Sequence, residues 1–105
     1  MAQNKDDTVL EAQRSKLKPP PMYKVMLLND DVTPFDVVVL GLQKVCGLSE
    51  EVAEMIAVEA HTEGSAVARR GLAQEDAEQM CVRLKACTRI PRICPGVGCT
   101  AERDD

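Results

Sequence analysis

Between Tyr23 and Asp36 the chain spells out a strand, a turn and a helix start in direct succession. Tyr23-Lys24-Val25-Met26-Leu27-Leu28 is a short apolar run with partly β-prone residues, which reads as a strand. Asn29-Asp30-Asp31 follows, and short polar side chains of this kind bond their own backbone and favour turns. Thr33-Pro34-Phe35-Asp36 then reads as a helix entry: Thr33 as cap, Pro34 at the first helical position, Asp36 where a capping-box acid stands. This punctuation commits the chain to a fold that mixes strand and helix.

The remaining segments follow the same logic. The first helix is expected to run to about Cys46, with Phe35, Val38, Val39, Leu42, Val45 and Cys46 as its buried stripe and Gly47 just past its end. Ser49 caps a second helix that stops at Gly64, with Val52, Met55, Ile56 and Ala60 on one face and His61 in the last turn. Ser65 to Arg69 reads as a second strand ended by Arg70-Gly71. Gln74 to about Cys87 reads as a third helix with Ala77, Met80, Cys81 and Leu84 on one side. A short last strand is expected around Val97 to Ala101. The order βααβαβ predicts an α+β sandwich of two layers, a three-stranded antiparallel sheet with three helices. Residues 1–18 are polar, mixed in charge and without sustained periodicity, and are expected to form a flexible arm. Pro19, Pro20 and Pro21 mark its boundary with a single domain over residues 19–105.

Composition removes several functions. At 105 residues one core is possible and two are not expected. Tyr23 and Phe35 are the only aromatic residues, which leaves no platform for stacking bases, and a net charge of −4 gives no footprint for phosphates. No apolar run approaches the ~20 residues of a membrane span, and the first residues lack the pattern of a secretory or transit signal. The expected compartment is the cytoplasm. Five cysteines without a C-x-x-C pair suit neither a disulfide framework nor the common zinc sites, so no metal or cofactor is expected. Cys46 and Cys81 read as small buried side chains.

Two polar features remain: Asn29-Asp30-Asp31 at the exit of the first strand, and His61, the only histidine. Each has a plain structural reading, as a turn and as a residue that suits a helix C-terminus. Were they to meet, they would offer an amide, carboxylates and an imidazole beside Phe35, Val38, Ala57 and Ala60 as apolar walls. Such acceptors suit a cation or an ammonium group whose apolar part occupies the cavity.

The run from Pro20-Pro21-Met22-Tyr23 through Asn29-Asp30-Asp31-Val32-Thr33-Pro34 closely resembles the signature of the ClpS family, the adapters of the ATP-dependent Clp protease. Val37-Val38, Leu42-Gln43-Lys44, His61 and Gly64 continue the likeness, which is close over residues 19–68 and poor over 69–105. The resemblance implies a non-enzymatic adapter for N-degrons, proteins with a bulky hydrophobic first residue. It hands them to an AAA+ Clp unfoldase, which feeds the Clp peptidase. It implies that Asn29, Asp30 and His61 hold the substrate's α-ammonium while helix side chains enclose its first side chain. It also implies that Glu75 and Glu78 contact the unfoldase's N-terminal domain, and that the unfoldase engages the N-terminal arm during delivery.

This chain departs from the family pattern at the pocket. Phe35 and Ala57 stand where the family usually carries Met, and Ala60 where it usually carries Val, which implies an altered preference among Leu, Phe, Tyr and Trp. A Cys-His hydrolase is disfavoured because no cysteine has the local context of a nucleophile. A structural or regulatory module of the same fold that modulates the unfoldase without binding N-degrons is the alternative. Retention of Asn29, Asp30 and His61 together argues against it.

Overall fold

The computed structural model describes residues 22–104, so the expected arm and its proline boundary lie outside the described residues. The elements run β1 (Tyr23–Leu28), α1 (Phe35–Cys46), α2 (Glu50–Glu63), β2 (Ser65–Leu72), α3 (Gln74–Thr88) and β3 (Cys99–Arg103). The three strands form one antiparallel sheet in the order β2-β1-β3, the α+β arrangement expected from the sequence.

β1 is central because it alternates. Val25 and Leu27 are fully buried under the helices, while the intervening residues are half-buried. Leu42 of α1, Leu84 of α3 and Val97 close over them. The contact between α2 and β2 is made of small residues, with Ala53, Ala57 and Ala60 on the helix and Ala66 and Ala68 on the strand. Methyl groups on both sides let helix and sheet approach closely.

Local chemistry ends the elements where expected in three places. Gly47 and Gly64 terminate α1 and α2 in left-handed conformations, at φ 69° and 94°. The Ser49 hydroxyl accepts the Val52 N–H at 3.2 Å and caps α2. Arg69 reaches across from β2 and donates to the Cys46 carbonyl at 2.6 Å, satisfying an orphan acceptor at the end of α1.

Other expectations are corrected. Thr33 does not cap α1. The helix begins one residue later, Pro34 occupies the cap position without a side-chain bond, and the Thr33 hydroxyl is spent on Asp30. Phe35, expected in the buried stripe, is 45% exposed at the head of α1. Val52 and Met55 do not share the buried face of α2. Both are exposed, because the helix turns its alanines to the core and its larger side chains outward. β2 continues through Arg70-Gly71 to Leu72. The register against β1 slips twice along β2, once across Arg70-Gly71, where Gly71 takes φ 72°, and once at Ala68.

The segment between α3 and β3 is packed rather than loose. Ile90 and Cys94 bridge, and the buried Thr88 hydroxyl donates to Leu84 at 2.8 Å while accepting the Val97 N–H at 2.8 Å. Gly96, at φ 103°, passes so close to α3 that a Cβ would lie 2.1 Å from the Lys85 carbonyl. Thr88 thus holds Val97 in the core. Replacing it by isosteric valine leaves the buried Val97 N–H without a partner, at about 1–3 kcal/mol. Thermal unfolding of Thr88→Val is expected several degrees below the parent; an unchanged midpoint contradicts this role.

Candidate functional site

The loop after β1 is tied down at both neighbours. The Leu28 N–H donates to Gly98 at 2.9 Å, and the Asn29 N–H donates to Gly64 at 3.0 Å. The second bond joins the head of the Asn29-Asp30-Asp31 turn to the residue that ends α2, three positions beyond His61. The two polar features of the sequence thereby border one cavity.

That cavity measures about 290 Å³. Its polar rim comes from Asn29, Asp30, Asp31 and Thr33 on the loop and His61 on α2. Its apolar lining comes from Val38 on α1, Ala57 and Ala60 on α2, Leu27 and Leu28 on β1, and Val97; Phe35 borders it at the start of α1. The structure brings Asn29, Asp30, His61, Phe35, Val38, Ala57 and Ala60 to this single site. Glu75 and Glu78 lie elsewhere, on the exposed first turns of α3. There they border a shallow depression that shares no residue with the cavity, and Gln74 donates to Glu78 at 3.2 Å.

Asp30 organises the loop. One carboxylate oxygen accepts the Val32 N–H at 2.7 Å and the Thr33 N–H at 3.3 Å, and the other accepts the Thr33 hydroxyl. The Thr33 hydroxyl bond, joined by those two backbone bonds and opposed by partial desolvation, holds the Asp30 carboxyl below the usual carboxylate range. A carboxylate has about four acceptor sites, so roughly one remains for an outside donor. Asp30 therefore stays charged at neutral pH while it shapes the turn. His61 and Asn29 are exposed, so their polar groups are accessible to a guest.

No cysteine lines this cavity. Burial pushes the Cys46 thiol up to about 11 and also raises Cys81 and Cys99, so these thiols stay protonated at neutral pH and are poor nucleophiles. Among the described residues there is no cluster of His, Cys, Asp and Glu that could hold a metal. None of their helices is long and apolar enough to cross a membrane.

Sequence reasoning missed Leu27, Leu28 and Val97 as lining residues. The first two were read simply as strand. Val97 lies in a segment positioned by Thr88, a contact without a local sequence signal beyond the flanking Gly96 and Gly98.

The Asp30 bonding generates a direct test. Asp30 contributes stability that is fully present above its unfolded value and is lost as pH falls through its lowered folded value. Removing the hydroxyl in Thr33→Val takes away the leading cause of that lowering. The Asp30 midpoint, followed by side-chain ¹³C NMR, is expected to rise toward the ordinary carboxylate value, and the acid dependence of stability to flatten. An unmoved midpoint contradicts the assignment.

Comparison with known proteins identifies the family. The family profile of "ATP-dependent Clp protease adaptor protein ClpS" matches residues 18–91, running past residue 68 and through α3. The ATP-dependent Clp protease adapter protein ClpS of Nitrosospira multiformis is 52% identical over 66 residues, which cover 63% of this chain and 65% of that relative. The protein of the same name from Paraburkholderia xenovorans is 45% identical over 78 residues, covering 71% and 75%. The match to the Nitrosospira relative spans just under two thirds of that relative's length. Among solved structures, Agrobacterium tumefaciens ClpS2 bound to L-phenylalaninamide matches with a TM-score of 0.65 and 31% identity, over 82% of this chain and 100% of that one. With the profile spanning β1 through α3 and the fold shared, this chain belongs to the ClpS family of ATP-dependent Clp protease adaptor proteins.

Proposed function

We propose that this chain recognises proteins by a free N-terminus whose first residue is bulky and hydrophobic, and delivers them to an AAA+ Clp unfoldase. The observation that carries this reading is the juxtaposition of an acceptor rim and an apolar cavity. Asn29, Asp30 and His61 border the same space that Val38, Ala57 and Ala60 line. An α-ammonium has three donors and a positive charge, and it suits an amide oxygen, an ionised carboxylate and an imidazole. A first side chain gains by leaving water for the apolar wall.

Discrimination follows from unmade bonds. An internal residue or an acetylated N-terminus brings no ammonium, so the rim acceptors lose water without gaining donors. The role is that of a binder rather than a catalyst: the protonated thiols and the absence of a cysteine at the cavity support that reading. Delivery belongs to the surface away from the cavity. Glu75 and Glu78 are proposed to contact the unfoldase's N-terminal domain, and residues 1–18 to be the arm that the unfoldase engages, with residues 19–105 as the adapter domain. The proposed compartment is the cytoplasm.

Fluorescence anisotropy with a labelled peptide bearing a free N-terminal Phe checks the reading. Acetylation of the peptide, and His61→Ala in the protein, are each expected to weaken binding by roughly fivefold to a hundredfold, from about 1–3 kcal/mol per unpaired group. Equal affinity for the free and acetylated peptides contradicts ammonium recognition.

A further inference from the structure

Resting on the N-terminus reading above, we infer that the cavity selects an aromatic first residue, phenylalanine above leucine, through the pairing of Phe35 at its rim with the alanine wall of α2. Three observations converge on this. Ala57 and Ala60 are three residues apart on one helical face, both buried against the cavity at 5% and 3% exposure. They contribute only methyl groups, so no branched chain from α2 fills the space, and its volume of about 290 Å³ is left to a single large side chain.

Phe35 supplies the second observation. It is one of two aromatic residues in the chain, it borders the cavity, and it remains 45% exposed at the head of α1. A half-exposed ring at a cavity rim offers apolar surface that a guest covers. A guest ring there gains an aromatic pair beyond the area it buries, whereas a leucine gains the area alone. A pair of that kind corresponds to roughly a two- to tenfold gain in affinity.

The third observation separates phenylalanine from tyrosine. The polar side chains of the cavity all come from the loop after β1 and the end of α2, with Thr33 the buried one among them. The rest of the lining is Leu27, Leu28, Val38, Ala57, Ala60 and Val97. The Thr33 hydroxyl gives its one proton to Asp30 and has none left to donate to a guest. A tyrosine hydroxyl buried against Leu27, Leu28, Val38, Ala57, Ala60 and Val97 faces apolar side chains, and burying it unpaired there costs affinity.

Peptides identical except for a first Phe, Leu or Tyr, and an acetylated Phe peptide, are titrated against the full chain and two variants. For the parent chain the order Phe, then Leu and Tyr, is expected, with Phe three- to tenfold ahead of Leu. Ala57→Met fills the wall and is expected to bring Phe and Leu within about twofold of each other. Phe35→Leu, at an exposed rim position, removes the ring without disturbing the core. It is expected to lower Phe affinity several-fold while Leu changes less than twofold. Should Ala57→Met fail to fold by circular dichroism, Phe35→Leu decides. Equal Phe and Leu affinity in the parent, with the acetylated peptide still rejected, overturns this inference and leaves ammonium recognition standing. Equal binding of the acetylated and free Phe peptides overturns both.

Discussion

The Asn29 N–H···O=C bond to Gly64 is the constraint on which the rest of the site depends. β1 is the central strand, paired with β2 on one side and β3 on the other. One bond fixes its exit against the end of α2, and the Leu28 bond to Gly98 fixes it against the segment that carries Val97. The Asn29-Asp30-Asp31 turn, the His61 turn of α2 and Val97 thereby border one volume. Gly64 permits this by taking φ 94°, which turns the chain from α2 into β2 and leaves its carbonyl available to the strand exit.

Within that frame the charged and apolar parts divide the labour. Asp30 spends most of its acceptor capacity on its own loop, and this keeps it ionised and in place. A preorganised carboxylate binds a cation without first ordering itself, so in the proposed recognition the internal bonds favour binding rather than compete with it. His61 and Asn29 supply the accessible remainder. The alanine face of α2 serves two purposes, since Ala53 seats the helix against the sheet while Ala57 and Ala60 both seat it and open the cavity.

Much of the fold was legible because its boundaries are written in local chemistry. Gly47, Ser49 and Gly64 act within their own turn, and β1 alternates as a half-covered strand should. The errors arose where a nonlocal or competing partner intervened. Thr33 looked like a helix cap, yet the carboxylate of Asp30, three residues away, offered its hydroxyl a charged acceptor. Val52 and Met55 looked like core, yet the close contact with β2 admits only methyl groups, so the alanines face inward. β2 outran Gly71 because a bulge, not a stop, occupies that glycine. At the site, the seven named residues came from the Asn-Asp-Asp turn, the lone histidine and the apolar faces of the adjoining helices, and the family resemblance gave the first three a shared role. Val97 was missed because nonlocal bonds bring it there, one to the buried Thr88 nine positions upstream and one from Leu28 to the adjacent Gly98.

One cavity is proposed to hold both an ammonium group and the side chain attached to it. The most direct measurement is a ¹⁵N–¹H NMR titration of the chain with phenylalaninamide and, in parallel, with its N-acetyl derivative. The free amine is expected to perturb Asn29, Asp30, Phe35, Ala57, Ala60 and His61 together, saturably, while the acetylated compound leaves them in place. Equal perturbation by both compounds, or shifts centred instead on the exposed face of α3 around Glu75 and Glu78, would contradict it.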